Sequence, residues 1–316
     1  MKYIKLNTVA ALSLFAMNAN AVDVSTHGKV FVEYGQGAQR YGDGGNDRLG
    51  ASLAAIGVEA KKNNTKAVLW VTGQNLATTD STVNTNKGLI GISEAFLDFS
   101  KIAKTDFSVS AGYQSLMFGL KPGNFAGDRT IQGSVEFGGL GGMATSKQEA
   151  PAVILSYEIQ KGMTLRGGAF DNLTDTIIKN YFVDYRGNYD AVYVYAGFET
   201  IDVANNARIL WDAGIGMSFM DDMMDLSFEY VNLAKAINGT KKNDQYYIGE
   251  YTFKFTNSTS LILDYGRAAA GKDTTYRGGL SHVFNDAMTA SLEYSYDDFN
   301  ASADVHSVDA RLAFNF

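Results

Sequence analysis

The chain has no cysteine and only two prolines in 316 residues. The first absence excludes a disulfide framework, thiol catalysis and a thiolate metal site. The second, set against 33 glycines, suits long uninterrupted strands joined by glycine turns. Beyond the amino-terminal segment no run of 18 or more apolar residues occurs, so no helical membrane span is expected. Positive charge is also short, with Lys+Arg 27 against Asp+Glu 34. Without a basic stripe to release phosphate counterions, nucleic acid is excluded as a partner.

What is present begins with MKYIKLNTVAALSLFAMNANA. Lys2 and Lys5 form a basic region, Val9 to Met17 an apolar core interrupted at Ser13, and Ala19-Asn20-Ala21 a small-x-small cleavage site. Residues 1–21 are therefore expected to be a secretory signal peptide, with residues 22–316 as the mature domain. Removing the segment takes away two lysines and no acids, leaving 25 basic against 34 acidic residues, a formal −9.

Along the mature chain the dominant period is two. Val308, Ala310, Leu312, Phe314 and Phe316 share one face of the last segment, opposite Ser307, Asp309, Arg311 and Asn315. Met288, Ala290, Leu292, Tyr294 and Tyr296 alternate with Thr289, Ser291, Glu293 and Ser295. The split recurs in Leu226, Phe228 and Tyr230 against Ser227 and Glu229, and in Tyr247, Tyr251, Phe253 and Phe255 against Glu250, Thr252 and Lys254. Turns are expected at Asn285–Ala287, Thr256–Thr259, Met220–Met224 and Arg186–Tyr189. Longer connections fall at Asp297–Asp304, Ala268–Thr274 and Leu233–Asn243. The rhythm predicts about sixteen antiparallel strands with short turns at one end and long loops at the other.

A soluble sandwich would bury its apolar faces and expose the polar ones. So many strands doing so would need several domains, and no boundary is visible. A closed barrel in lipid needs an apolar outside and a wet inside, and closure satisfies every strand edge. The aromatic pairs Tyr294-Tyr296, Tyr246-Tyr247 and Phe314-Phe316 stand near strand ends, where interfacial girdles belong. An all-β transmembrane barrel is the expected fold.

The first strand opens on HGKVFVEYG, VEFGG and GGMATSK follow at Val135 and Gly141, and the chain closes on a strand ending in Phe316; on these residues it resembles the Gram-negative general porins. HGKVFVEYG, His27 to Gly35, is similar to the family's opening strand, and the final strand closes on phenylalanine as in that family. VEFGG, Val135 to Gly139, stands where the family's third loop carries P-E-F-G-G, and GGMATSK, Gly141 to Lys147, follows it. The resemblance implies a trimeric, water-filled barrel in the outer membrane, among lipopolysaccharide and outer-membrane lipid. Its third loop, about residues 117–147, would fold inward to narrow the pore, and small hydrophilic solutes and ions would diffuse through it. It also implies that Phe316, with Phe314 and Leu312, forms the signal read by the barrel-assembly machinery.

The resemblance places Glu136 in the constriction, facing Lys29 on the wall. Asp128 and Gln132 are further constriction candidates. By ungapped placement, Ala55 and Glu94 stand where the family carries wall arginines, so the basic ladder is partly erased. Arg166 and Arg311 point inward by parity. With an anionic chain and acids at Glu94, Asp128 and Glu136, weak cation selectivity is expected.

Competing readings rest on less. A barrel enzyme would need a histidine base beside a nucleophile or acid, and His27, His282 and His306 lie in no such motif. Gly138 to Gly142 lacks the strand-to-helix context of a phosphate cradle, and Asp221-Asp222 and Asp297-Asp298 lack cation-loop spacing. No cofactor or metal is expected. The run Gly112 to Gly133 is similar to phosphate-selective porins, but its Lys121 and Arg129 are few. Ser52, Ala54, Ile56, Val58 and Ala60 form a small, flat outward set suited to packing against a neighbouring barrel.

Overall fold

The computed structural model describes residues 22–36, 48–78, 89–120, 147–171, 180–203, 206–235, 243–269, 274–298 and 304–316. The signal segment and the loop candidates Asp128, Gln132 and Glu136 lie outside them, as does the VEFGG motif.

The alternating pattern folds into sixteen strands. They are β1 (Asp23–Gln36), β2 (Arg48–Lys62), β3 (Thr65–Thr78), β4 (Leu89–Phe99), β5 (Phe107–Met117), β6 (Lys147–Gln160), β7 (Met163–Phe170) and β8 (Asn180–Tyr189). The second half comprises β9 (Val192–Val203), β10 (Asn206–Phe219), β11 (Met224–Lys235), β12 (Asn243–Lys254), β13 (Thr259–Ala268), β14 (Thr274–Asn285), β15 (Met288–Asp298) and β16 (Val305–Asn315). Each pairs antiparallel with its chain neighbour, and β1 pairs with β16 to close the barrel. Among the described residues the one helical turn is Ile102–Lys104.

Closure joins the first strand to the last, so the sheet ends on no unpaired strand, as a sheet in a solvent without hydrogen bonds requires. The faces divide as parity requires. Ile215, Leu226, Phe228, Leu263, Leu280 and Leu292 stand on the outside, about half exposed, while Asp184, Glu229, Glu250 and Asp309 on the inside are buried.

Outside, aromatics form a belt at the long-loop ends of the later strands. Ring centroids lie 5.2 Å apart for Trp211–Tyr230 and 5.3 Å for Tyr230–Tyr247. The belt continues through Tyr265–Tyr276 at 5.4 Å, Tyr276–Tyr296 at 6.1 Å and Tyr296–His306 at 4.8 Å. At the turn end Phe107–Tyr157 and Phe253–Phe255 make similar contacts. Amphipathic rings at two levels match the girdles of a membrane barrel.

Several expectations are corrected. Arg186 to Tyr189 is strand, and the turn falls one step later at Asp190–Ala191, where Asp190 takes a positive φ of 61°. Ser52 interrupts the strict backbone alternation expected of β2. The register shifts between Ala51 and Leu53 make it the extra residue of a bulge, so parity reverses there. Ser93 is a second such residue, between Ile92 and Glu94. Tyr246 faces inward and is 4% exposed, while Tyr247 alone of that pair joins the outer belt.

Candidate functional site

The inner wall is not uniformly polar. After β5 the chain turns into the barrel, and Phe118, Gly119 and Leu120 are all buried. Phe118 meets Phe182 edge-on at 5.4 Å and Phe170 at 6.1 Å. With Leu116, Ala150, Ala152 and Ile154 these rings form an apolar core inside the barrel. A wet lumen offers no place for such residues, so their inward phase on β6 to β8 marks the wall that the root of loop 3 covers.

Three contacts carry that root across to β9, β10 and β11. The Gly119 backbone lies beside the Tyr195 hydroxyl. The Leu120 N–H donates to Glu229 Oε1 at 2.9 Å. Gly214 leaves room for Leu120, because a Cβ there would stand 2.9 Å from the Leu120 Cβ. The root of loop 3 therefore folds inward; the rest of it lies outside the described residues.

Facing the lumen beside this root is a belt of carboxylates: Asp184, Glu199, Asp212 and Glu229 on adjacent strands, then Glu250, Asp264, Glu293 and Asp309. Each is at most 5% exposed. Asp184, Glu229, Asp264 and Glu293 each stand five residues from the turn end of their strands, at Tyr189, Met224, Thr259 and Met288. In a tilted barrel a row of paired residues climbs from strand to strand. The acids step back against that climb, from the Asp212–Val231 row to the Glu229–Ile248 row and then the Glu250–Asp264 row. They consequently stay at one level.

Arginines interrupt the belt. Arg166 Nε donates to Asp184 Oδ1 at 2.8 Å, and its guanidinium lies 5.9 Å from the Phe182 ring centre. Arg186 lies over the Tyr195 ring at 4.6 Å. Arg277 is 4% exposed and pairs in register with Asp264. Among the described residues neither carboxyl oxygen of Glu199 or Asp212 receives a hydrogen bond, so the wall holds buried carboxyl groups that its arginines only partly meet.

The expected wall residues sit as follows. Lys29 lies on the inner face, opposite Ala55 and Asn315. Glu94 faces inward beside Trp70 and accepts a hydrogen bond from the Ser115 hydroxyl. Arg311 faces inward but not beside Lys29. Its backbone is in register with residue 33 of β1, and its guanidinium lies 4.7 Å from the Phe31 ring centre. Leu312 and Phe314 share the outer face with Val308, and Phe316 is 73% exposed. The structure thus separates Lys29, Glu94 and Arg166 onto distinct sectors instead of one ladder. The carboxylate belt is not legible in the sequence, although Glu229, Glu250, Glu293 and Asp309 stand in its inward phase, because the level of each acid depends on the stagger between strands.

The histidines are spread over the wall. His27 stacks on Trp70 at 6.4 Å and its Nε2 lies 3.1 Å from Ser25 Oγ. His282 Nδ1 is 2.8 Å from Thr259 Oγ1, and His306 Nδ1 is 2.7 Å from the Tyr294 hydroxyl.

No family model and no curated protein matches the chain. Solved structures do. The outer membrane channel DcaP of Acinetobacter baumannii is similar at TM-score 0.67 and 12% identity, over 95% of this chain and 99% of that one. An anion-selective porin of Comamonas acidovorans gives 0.66 and 13%, over 94% and 100%. The Salmonella typhi OmpF complex with daunomycin gives 0.67 and 11%, over 93% and 97%. The fold is that of the outer-membrane porins.

Proposed function

We propose that this chain is an outer-membrane porin, a water-filled channel for passive diffusion of ions and small hydrophilic solutes with weak cation selectivity. One observation carries the reading: the sixteen-stranded wall has an apolar, aromatic-belted outside and an inside whose charged level is dominated by carboxylates. Charge at the narrowest ring sets which ions are enriched. Glu94 adds an acid on the opposite sector, and the loop residues Asp128, Gln132 and Glu136 complete the proposed constriction. In this reading residues 1–21 are a cleaved signal peptide, and the barrel-assembly machinery reads Phe316 with its outward partners.

A homotrimer fits two features of β1 to β5. Ala54, Ile56, Val58 and Ala60 on β2 face outward beside Ala67, Leu69 and Val71 on β3, a flat surface of small and medium residues. Next to it β4 and β5 share only the pairs from Ala95–Tyr113 to Phe99–Val109. Above them each strand bonds on its other side alone, and edges left open in lipid are costly. A second copy of the chain would cover both. Native mass spectrometry of detergent-purified protein tests this, with a monomer as the contrary result.

A second reading has its own support. Arg166 and Arg186 lie together near the turn-side mouth, where they would favour a substrate-selective channel for anionic solutes such as phosphate. Block of ion current by phosphate, set against block by oligosaccharides, separates the two. A lipid-release or peptide-cleavage assay on the pure protein addresses the barrel-enzyme reading.

A further inference from the structure

A groove of about 560 Å³ runs along the outer, lipid-facing surface between β11 and β15. Two glycines make it. Gly249 and Gly278 both occupy outward positions, where their neighbours in phase, Tyr251, Leu263, Tyr265 and Tyr276, carry large side chains. Neither glycine is demanded by the backbone or by packing. A Cβ at residue 249 would meet nothing nearer than the Ser227 carbonyl oxygen at 3.9 Å, and one at residue 278 nothing nearer than Leu263 Cδ2 at 3.4 Å. Glycine in a strand costs about 0.5–1 kcal/mol relative to alanine. In a strand it commonly marks a site that a ligand approaches closely. The volume falls within the range of about 300–1,000 Å³ typical of ligand clefts.

The groove has a polar end. Arg267 follows Tyr265 by two residues on the same outer face of β13 and is exposed. It stands at the long-loop end of that strand, level with the aromatic belt through Tyr247 and Thr274. A cation on the lipid side of a barrel is costly at mid-depth and tolerated at the interface, where its stem extends toward headgroups. Below it lie tyrosine walls and a glycine floor, a carbon-lined channel of the width left by two missing side chains. A charged head above an apolar slot is complementary to one kind of molecule.

We propose that this surface is a binding site for an anionic, phosphate-bearing lipid of the leaflet on the long-loop side. Arg267 takes the headgroup phosphate, and one acyl chain lies in the groove over Gly249 and Gly278. The site rests on the membrane-barrel reading, since only in a bilayer does this face meet lipid, but it does not depend on what crosses the pore. It gives this sector of the outer wall a fixed lipid, where flat sectors exchange theirs freely.

The test reconstitutes the full chain in vesicles of equal phosphatidylglycerol and phosphatidylcholine with matched acyl chains, then counts lipids retained after gentle detergent extraction by native mass spectrometry. The wild type is expected to keep phosphatidylglycerol in preference to phosphatidylcholine. Arg267→Gln, an exposed change that leaves the fold intact, should cut that preference about fivefold, the loss expected for one interfacial cation. Gly278→Leu should fill the groove and lose retained lipid of both kinds while single-channel conductance stays unchanged. Equal retention of the two lipids by the wild type, or an undiminished preference in Arg267→Gln, would overturn the site and leave the channel reading standing. A chain that does not insert into the vesicles would overturn the barrel reading and the site with it.

Discussion

Gly28 and Phe316 exchange both of their backbone hydrogen bonds, Gly28 N–H to Phe316 O at 2.6 Å and Phe316 N–H to Gly28 O at 3.0 Å. The Phe316 ring then lies flat over residue 28, on ground that only glycine leaves open. This pair fastens the turn end of the β1–β16 seam, and the seam joins the two end strands of the sheet into a barrel.

Gly28→Leu should therefore strike at closure itself. Its side chain would displace the Phe316 ring, at the cost of about 1–3 kcal/mol typical of overpacking. The checks are heat-modified mobility on denaturing gels and the yield of folded barrel after refolding. An unchanged yield would show that the seam does not depend on this contact.

Phe118→Ala removes the side chain that holds the root of loop 3 against Phe170 and Phe182. A truncation of this kind in a packed core costs about 3–5 kcal/mol, but here the loss falls on the loop and not on the strand ladder. The barrel should keep its mobility shift while open-channel current becomes noisier and proteolysis within loop 3 speeds up. Gly214→Leu should produce the same signature by pushing Leu120 off the wall. Loss of the folded barrel in both variants would contradict the division of labour drawn here.

Much of this arrangement was legible in the residues alone, and its limits have physical reasons. Strand number and faces follow from alternation, because one face must meet lipid and the other water. The two bulges at Ser52 and Ser93 broke parity locally, since an extra residue leaves no compositional mark. Arg186 to Tyr189 has the composition of a turn, yet Arg186 has a wall position over Tyr195 and the reversal needs only Asp190 and Ala191. The apolar inward residues Ile154, Phe170 and Phe182 suit no wet lumen, and their partner, Phe118 at the loop root, comes from a distant part of the chain. Levelling the acids needed the stagger between strands, which no single strand encodes.

The Arg166–Asp184 pair should prove asymmetric on mutation. Arg166→Gln leaves the Asp184 carboxylate buried without its cation, a change that costs about 3–5 kcal/mol when one partner of a buried pair is lost. The double change Arg166→Met with Asp184→Leu removes both charges and should restore most of the loss. Urea midpoints for folding into lipid vesicles give the comparison; equal midpoints for the single and double variants would refute it.

If the carboxylate belt sets the ion preference, neutralising its half-buried counterpart on β4, Glu94, should weaken it. Glu94→Gln is expected to move the reversal potential toward zero, with a larger shift when Glu136→Gln is added. A shift from the loop change alone would assign the selectivity to loop 3 and remove the wall from the account.

The most direct test is a single-channel recording of the wild-type protein in a planar bilayer under a tenfold potassium chloride gradient. The account predicts stepwise, ohmic openings and a reversal potential whose sign reports modest preference for potassium. Absence of conductance steps from correctly inserted protein, or a reversal potential of the opposite sign, would contradict it.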